Sequence, residues 1–63
     1  MFIEVHEFDD EKEQRAIVCV ESIIKITEYI NGKVRSMIMF KGRGYMAVKE
    51  TIDEIQKAIS IEK

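Results

Sequence analysis

One histidine, one cysteine, twelve carboxylates and a glycine-flanked arginine are the groups in this chain that could do chemistry. His6 follows Ile3-Glu4-Val5, and strand alternation places it with Glu4 on the side away from Ile3 and Val5. A Glu-His pair two residues apart could contribute to a metal site. A zinc site needs three or four ligands, and the sequence supplies neither a second histidine nor a thiolate pair. His6 is therefore expected to be a solvated strand histidine. Cys19 lies within Ile17-Val18-Cys19-Val20 and reads as a small buried hydrophobe. A nucleophilic thiol needs a base and an electropositive, partly open setting, and His6 is the sole imidazole that could serve. The carboxylates of residues 9–13 fall in a polar stretch expected to be a loop. Paired-carboxylate catalysis needs fixed separations and one raised pKa, which a charged loop does not provide.

The segment Lys41-Gly42-Arg43-Gly44-Tyr45 is the most suggestive for binding. Successive turn amides can form an anion-binding nest, Arg43 offers a bidentate contact to phosphate, and Tyr45 offers a stacking face. Lys41, Arg43, Gly44 and Tyr45 are thus the candidate ligand- or anion-binding residues. The competing reading is a tight turn whose glycines supply positive φ. The spacing matches no Walker loop, and no helix is expected to begin at Gly44. Met37 and Met39 alternate with Ile38 and Phe40, so the strand holding them is apolar on both faces. One helix covers one side of a sheet. The methionines are expected at an interface with another copy or a partner, where their adaptable side chains suit contact surfaces; the competing reading is a strongly coiled sheet that wraps around both faces.

The elements that would position these residues follow from hydrophobic period. Residues 2–8 read as a strand, 9–14 as a polar loop, and 16–20 as a β-branched strand able to be buried on both faces. Glu21-Ser22 is a polar break. Residues 23–30 form another strand, with Ile24 and Ile26 on one face and Lys25 and Thr27 on the other. Asn31-Gly32 between two such runs signals a hairpin turn. Residues 33–41 return, with Val34, Ser36, Ile38 and Phe40 on one face. A short strand follows at 45–49. The period then changes: Ile52, Ile55 and Ile59 with Ala58 make one helical stripe over about 52–60. Thr51 and Glu54 have the spacing of a capping box.

These elements predict an α+β fold: a small antiparallel sheet or open barrel of four to five strands followed by one C-terminal helix, all in one domain, 1–63. At 63 residues the chain is near the lower limit for folding alone. With 46% hydrophobic and 35% charged residues it is globular rather than disordered. No apolar run nears the roughly 18 residues of a membrane span, and the first residues lack the basic region of a signal peptide. One cysteine excludes an internal disulfide, so a reducing, cytoplasmic setting is expected. The net charge of -2 hides two poles. Residues 4–13 hold six acids against Lys12, and residues 25–49 hold six bases against Glu28. The poles could pair within the fold, pair between copies, or present a basic face to a polyanion.

The stretch Gly44-Tyr45-Met46-Ala47-Val48-Lys49-Glu50-Thr51-Ile52-Asp53-Glu54-Ile55 resembles the ending of very small bacterial and phage proteins of the flagellar FlbD-like type. They share a short strand, a Val-Lys-Glu-Ser/Thr junction, a final helix and an earlier isoleucine-rich strand. The resemblance implies this architecture, no cofactor and no catalytic residues. It also raises a flagellar accessory role. The expected function is a non-enzymatic, homo-oligomeric binding module, of phage or mobile-element type, acting on a host protein or a small nucleotide without a membrane. The alternative is a nucleic-acid-binding small barrel of Sm-like or SH3-like outline.

Overall fold

The computed structural model describes residues 1–42 and 44–61, the last of these by its backbone alone. Strands β1 (Phe2–Asp9) and β2 (Lys12–Cys19) form a first hairpin, and β3 (Ile23–Asn31) and β4 (Val34–Phe40) a second. Then come β5 (Tyr45–Val48) and helix α1 (Ile52–Ile61). All neighbours are antiparallel, in the order β2-β1-β5-β4-β3. The expected sheet-plus-helix fold is present, with five strands.

The chain connections force the sheet to curl. In a flat sheet the outermost strands, β2 and β3, would lie roughly 19 Å apart at about 4.8 Å per interval. They are joined only by a 3-10 turn, Val20–Ser22. The four Cα steps from Cys19 to Ile23 reach about 14 Å at most. The edges must therefore approach each other. Two hydrogen bonds pin the connector: Val20 N–H donates to the Met1 carbonyl at 2.9 Å, and Lys41 N–H to the Ser22 carbonyl at 2.9 Å.

The concave face holds the core. Ile3, Val5, Val18, Ile38, Val48 and Ile55 are buried, with Ala16, Val20, Ile23, Ile26, Phe40, Met46, Ala58 and Ile59 packed around them. Helix α1 touches β1 and β3 and closes over this face. It begins as its sequence requires. Thr51 Oγ1 accepts from the Glu54 N–H at 3.1 Å, and Glu54 Oε1 accepts from the Thr51 N–H at 2.8 Å.

Several expectations need correction. Residues 9–14 are not a loop: β1 and β2 pair from Phe2↔Cys19 to Asp9↔Lys12, leaving a two-residue turn. Its residues, Asp10 and Glu11, both have positive φ (56° and 67°), the type I′ requirement met here without glycine. The second turn is Gly32-Lys33, one residue later than expected, because Asn31 pairs with Val34. Gly32 alone has positive φ (62°), the pattern of a type II′ turn. A register shift between Ile23 and Lys25 breaks the alternation of β3. Ile26 thus packs on the core while Ile24 is exposed. The 16–20 run is not buried on both faces: Val18 is in the core and Ile17 is exposed. Phe2, one strand away on the same face as Ile17, is exposed as well.

Candidate binding surfaces

Three places collect polar or apolar side chains that the fold itself does not explain fully. The first is the junction between β5 and α1, where Glu50 grips the first hairpin. Its Oε1 accepts the His6 backbone N–H at 2.9 Å, and its Oε2 lies 2.7 Å from His6 Nδ1. The His6 carbonyl in turn accepts the Lys49 N–H at 2.9 Å. From the second hairpin, buried Ser36 donates its hydroxyl to the Glu50 carbonyl at 2.8 Å. One residue therefore fastens β1, β4 and the start of α1. His6 is half-buried and bound, which corrects the expectation of a solvated histidine. Its Nε2 lies 4.0 Å from Glu4 Oε2, so the ring sits between two carboxylates. Among the described residues, no group of three or more potential ligands could hold a metal ion. Sequence reading missed this junction because 44 residues separate His6 from Glu50. Only the position of Glu50, between a strand and a capped helix, hinted at a polar tie.

The second place is an open cleft of about 460 Å3. Phe40, Met46 and Val18 line it, along with Ile17, Cys19, Ser22, Glu7, Lys41, Gly44 and Tyr45. Three of the four candidate ligand-binding residues, Lys41, Gly44 and Tyr45, thus share one concavity. Arg43 lies outside the described residues. Gly42 has φ 64°, which a tight turn requires here. Across this turn Phe40 N–H donates to the Gly44 carbonyl at 3.4 Å, and Lys41 N–H donates to the Ser22 carbonyl at 2.9 Å. Cys19 is half-exposed at the cleft rather than buried, and its thiol lies 3.4 Å from Glu21 Oε1. Glu21 is held below the usual carboxylate range, first by the N-terminal ammonium of Met1 at 3.0 Å and then by backbone and Cys19 hydrogen bonds. The thiol's polar neighbour is thus the Glu21 carboxylate, which accepts from it and is itself paired with the N-terminal ammonium.

The third place is the convex face of β3, β4 and β5. Opposed residues of an antiparallel pair share a face. Met37 lies between Thr27 and Ala47, and Met39 between Lys25 and Tyr45. Both methionines are half-buried, Tyr45 is exposed, and α1 packs on the opposite, core side. Of the nearby cations, Lys49 pairs with Glu13 at 3.2 Å, the one link between the acidic and basic poles among the described ion pairs. The Arg35 guanidinium turns back onto the Gly32 and Val34 carbonyls. No helix among the described residues is long and apolar enough to cross a membrane. Searches of protein-family models, curated proteins and solved structures find no match for this chain.

Proposed function

We propose that this chain is a non-enzymatic binding module that acts as a homo-oligomer. The observation that carries the reading is the convex face of β4, where Met37 and Met39 stand beside Ala47 and exposed Tyr45 on the side of the sheet away from the core residues of α1. A domain this small draws only about 3–5 kcal/mol from its own core, and burying such a face adds stability at about 25 cal/mol per Å2. The cleft beside it, with Lys41 and Tyr45 at an apolar floor, suits a small nucleotide or an anionic segment of a partner protein. Sedimentation equilibrium tests the reading. A dimer or larger species is expected at micromolar concentration, weakened when Met37→Glu and Met39→Glu are combined. A well-folded, purely monomeric wild type overturns it.

A nucleic-acid-binding barrel is the second reading. It is favoured by the curled antiparallel sheet and by Lys25, Lys41 and Tyr45 on or beside one face. Titration with single-stranded and duplex oligonucleotides separates the two. Affinity falling steeply with salt supports nucleic-acid binding, and no binding at low salt removes it. A flagellar accessory role rests on the resemblance of residues 44–55 alone, and co-purification with flagellar export or basal-body proteins is its test.

A further inference from the structure

The self-association proposed above leaves open which surfaces meet. We infer that the acidic turn of the first hairpin, Asp9-Asp10-Glu11, seats on the methionine face of a second copy. The inference rests on the homo-oligomer reading and goes beyond it by naming the two surfaces. Among the described residues, the register places no acid on that face. Thr27 and Ala47 stand beside Met37, Lys25 and Tyr45 stand beside Met39, and Arg35 precedes both methionines on β4. Lys41 follows two residues beyond Met39. The centre of the face is therefore apolar and its charged rim is basic, which suits an acidic surface on the partner.

The charges that the fold leaves unused are complementary. In the acidic segment, Glu4 lies near Arg15, Glu7 accepts from Gln14, and Glu13 pairs with Lys49. Asp9, Asp10 and Glu11 are exposed and enter no ion pair or side-chain hydrogen bond among the described residues. On the methionine face, Lys49 is taken by Glu13, and the Arg35 guanidinium by the Gly32 and Val34 carbonyls. Lys25 and Lys41 are exposed and enter no ion pair among the described residues. The turn sets three carboxylates against Lys12, a net of -2, and the two lysines carry +2.

The occupant is a second copy because the chain's own turn lies at the wrong end of the sheet. Glu11 lines a cavity of about 440 Å3 with Asn31–Val34, at the turn of the second hairpin. Lys25 stands at the far end of β3 from Asn31, and Lys41 lies past the far end of β4 from Val34. Those separations are roughly 20 Å at about 3.3 Å per residue. They exceed the Debye length of about 8 Å at physiological salt, so the two sets of charges do not serve each other within one chain. The turn and the face are different surfaces, so the contact is heterologous: each copy offers its turn to one neighbour and its face to another. Met37 and Met39, unbranched and adaptable, form the apolar seat beside the lysines.

The test removes charge from the turn without harming the turn. Asp10→Asn with Glu11→Gly supplies the residue types that a type I′ turn prefers, so the fold is kept. In sedimentation at low salt this variant should self-associate at least tenfold more weakly than wild type, with circular dichroism unchanged. Lys25→Glu with Lys41→Glu, at exposed positions, should weaken assembly as much. Mixed one to one, the two variants should form a heterodimer that grows no further, since the first keeps an intact face and the second an intact turn. Wild-type assembly should weaken as salt is added. A turn variant that assembles as tightly as wild type, or a mixture that forms no heterodimer, overturns this joint and leaves self-association standing. A monomeric wild type overturns both.

Discussion

The two hairpins are built to the same plan and solve it with opposite chemistry. Each contributes one inner strand and one edge strand, and each turns in two residues. The first places two core residues on β1 and one on β2, pairs without interruption over eight positions, and turns through Asp10-Glu11. Its turn pays backbone strain at two non-glycine residues, yet its register is regular. The second turns through glycine without that cost, and its edge strand slips register twice and contributes no fully buried side chain. Local turn chemistry and ladder regularity are thus separable. A strained turn is tolerated where eight paired positions hold it. A relaxed turn does not keep the adjoining strand in register where few of its side chains reach the core.

The largest test of this contrast removes what the hairpins share. Helix α1 touches β1 and β3, with Ile55 buried between. Ile55→Ala should cost about 2–5 kcal/mol by chemical denaturation, against about 1 kcal/mol for Thr51→Ala, which removes the N-cap. If the cap change proves the costlier, the helix is not the joint between the hairpins. Next comes Glu50, whose side chain holds β1 while its carbonyl receives Ser36 of β4. Glu50→Ala should cost about 1.5–3 kcal/mol, as expected for a charged acceptor whose partner N–H is part-buried. Amide exchange should then speed up at His6. Unchanged exchange there would sink the tie.

The turns give a smaller, mirrored pair. A Cβ at Gly32 meets no atom within 4 Å, so Gly32→Val should cost about 1–2 kcal/mol through the backbone alone. Glu11→Gly should instead stabilise by about 0.5–1 kcal/mol, the left-handed strain removed less the added freedom of the unfolded chain. Opposite-signed shifts in denaturation midpoint, the Gly32→Val shift the larger, would sharpen the comparison. A destabilised Glu11→Gly chain would break it. The smallest effect is electrostatic. Glu21 has a lowered folded-state pKa, so its contribution is fully present above the ordinary carboxylate pKa and is lost as pH falls through the lowered one. Thermal melts from pH 6 down to pH 3 should show a shallower decline for Glu21→Gln than for the wild type. Parallel curves would remove that contribution.

What could be read from the chain alone was whatever depends on near neighbours. The Thr51–Glu54 cap needs three residues of spacing, the helix stripe needs seven, and the alternation through Val34, Ser36, Ile38 and Phe40 needs a regular strand. All three elements are found where their patterns put them. The turn at residues 10–11 was hidden because its two acidic residues lack the glycine by which such turns are recognised. The bulge at Ile24 was hidden because period-2 reading assumes one residue per partner. Among the binding candidates, Lys41, Gly44 and Tyr45 are neighbours in sequence, so their grouping was visible in advance. Their shared cleft with Ile17 and Cys19 was not, since it exists only because the sheet curls. The bond from His6 to Glu50 is the clearest case of what tertiary structure decided. Nothing within a few residues of either predicts the other. Antiparallel pairing of β1 with β5 at Glu7↔Val48 brings the two together, and a part-buried N–H then needs an acceptor.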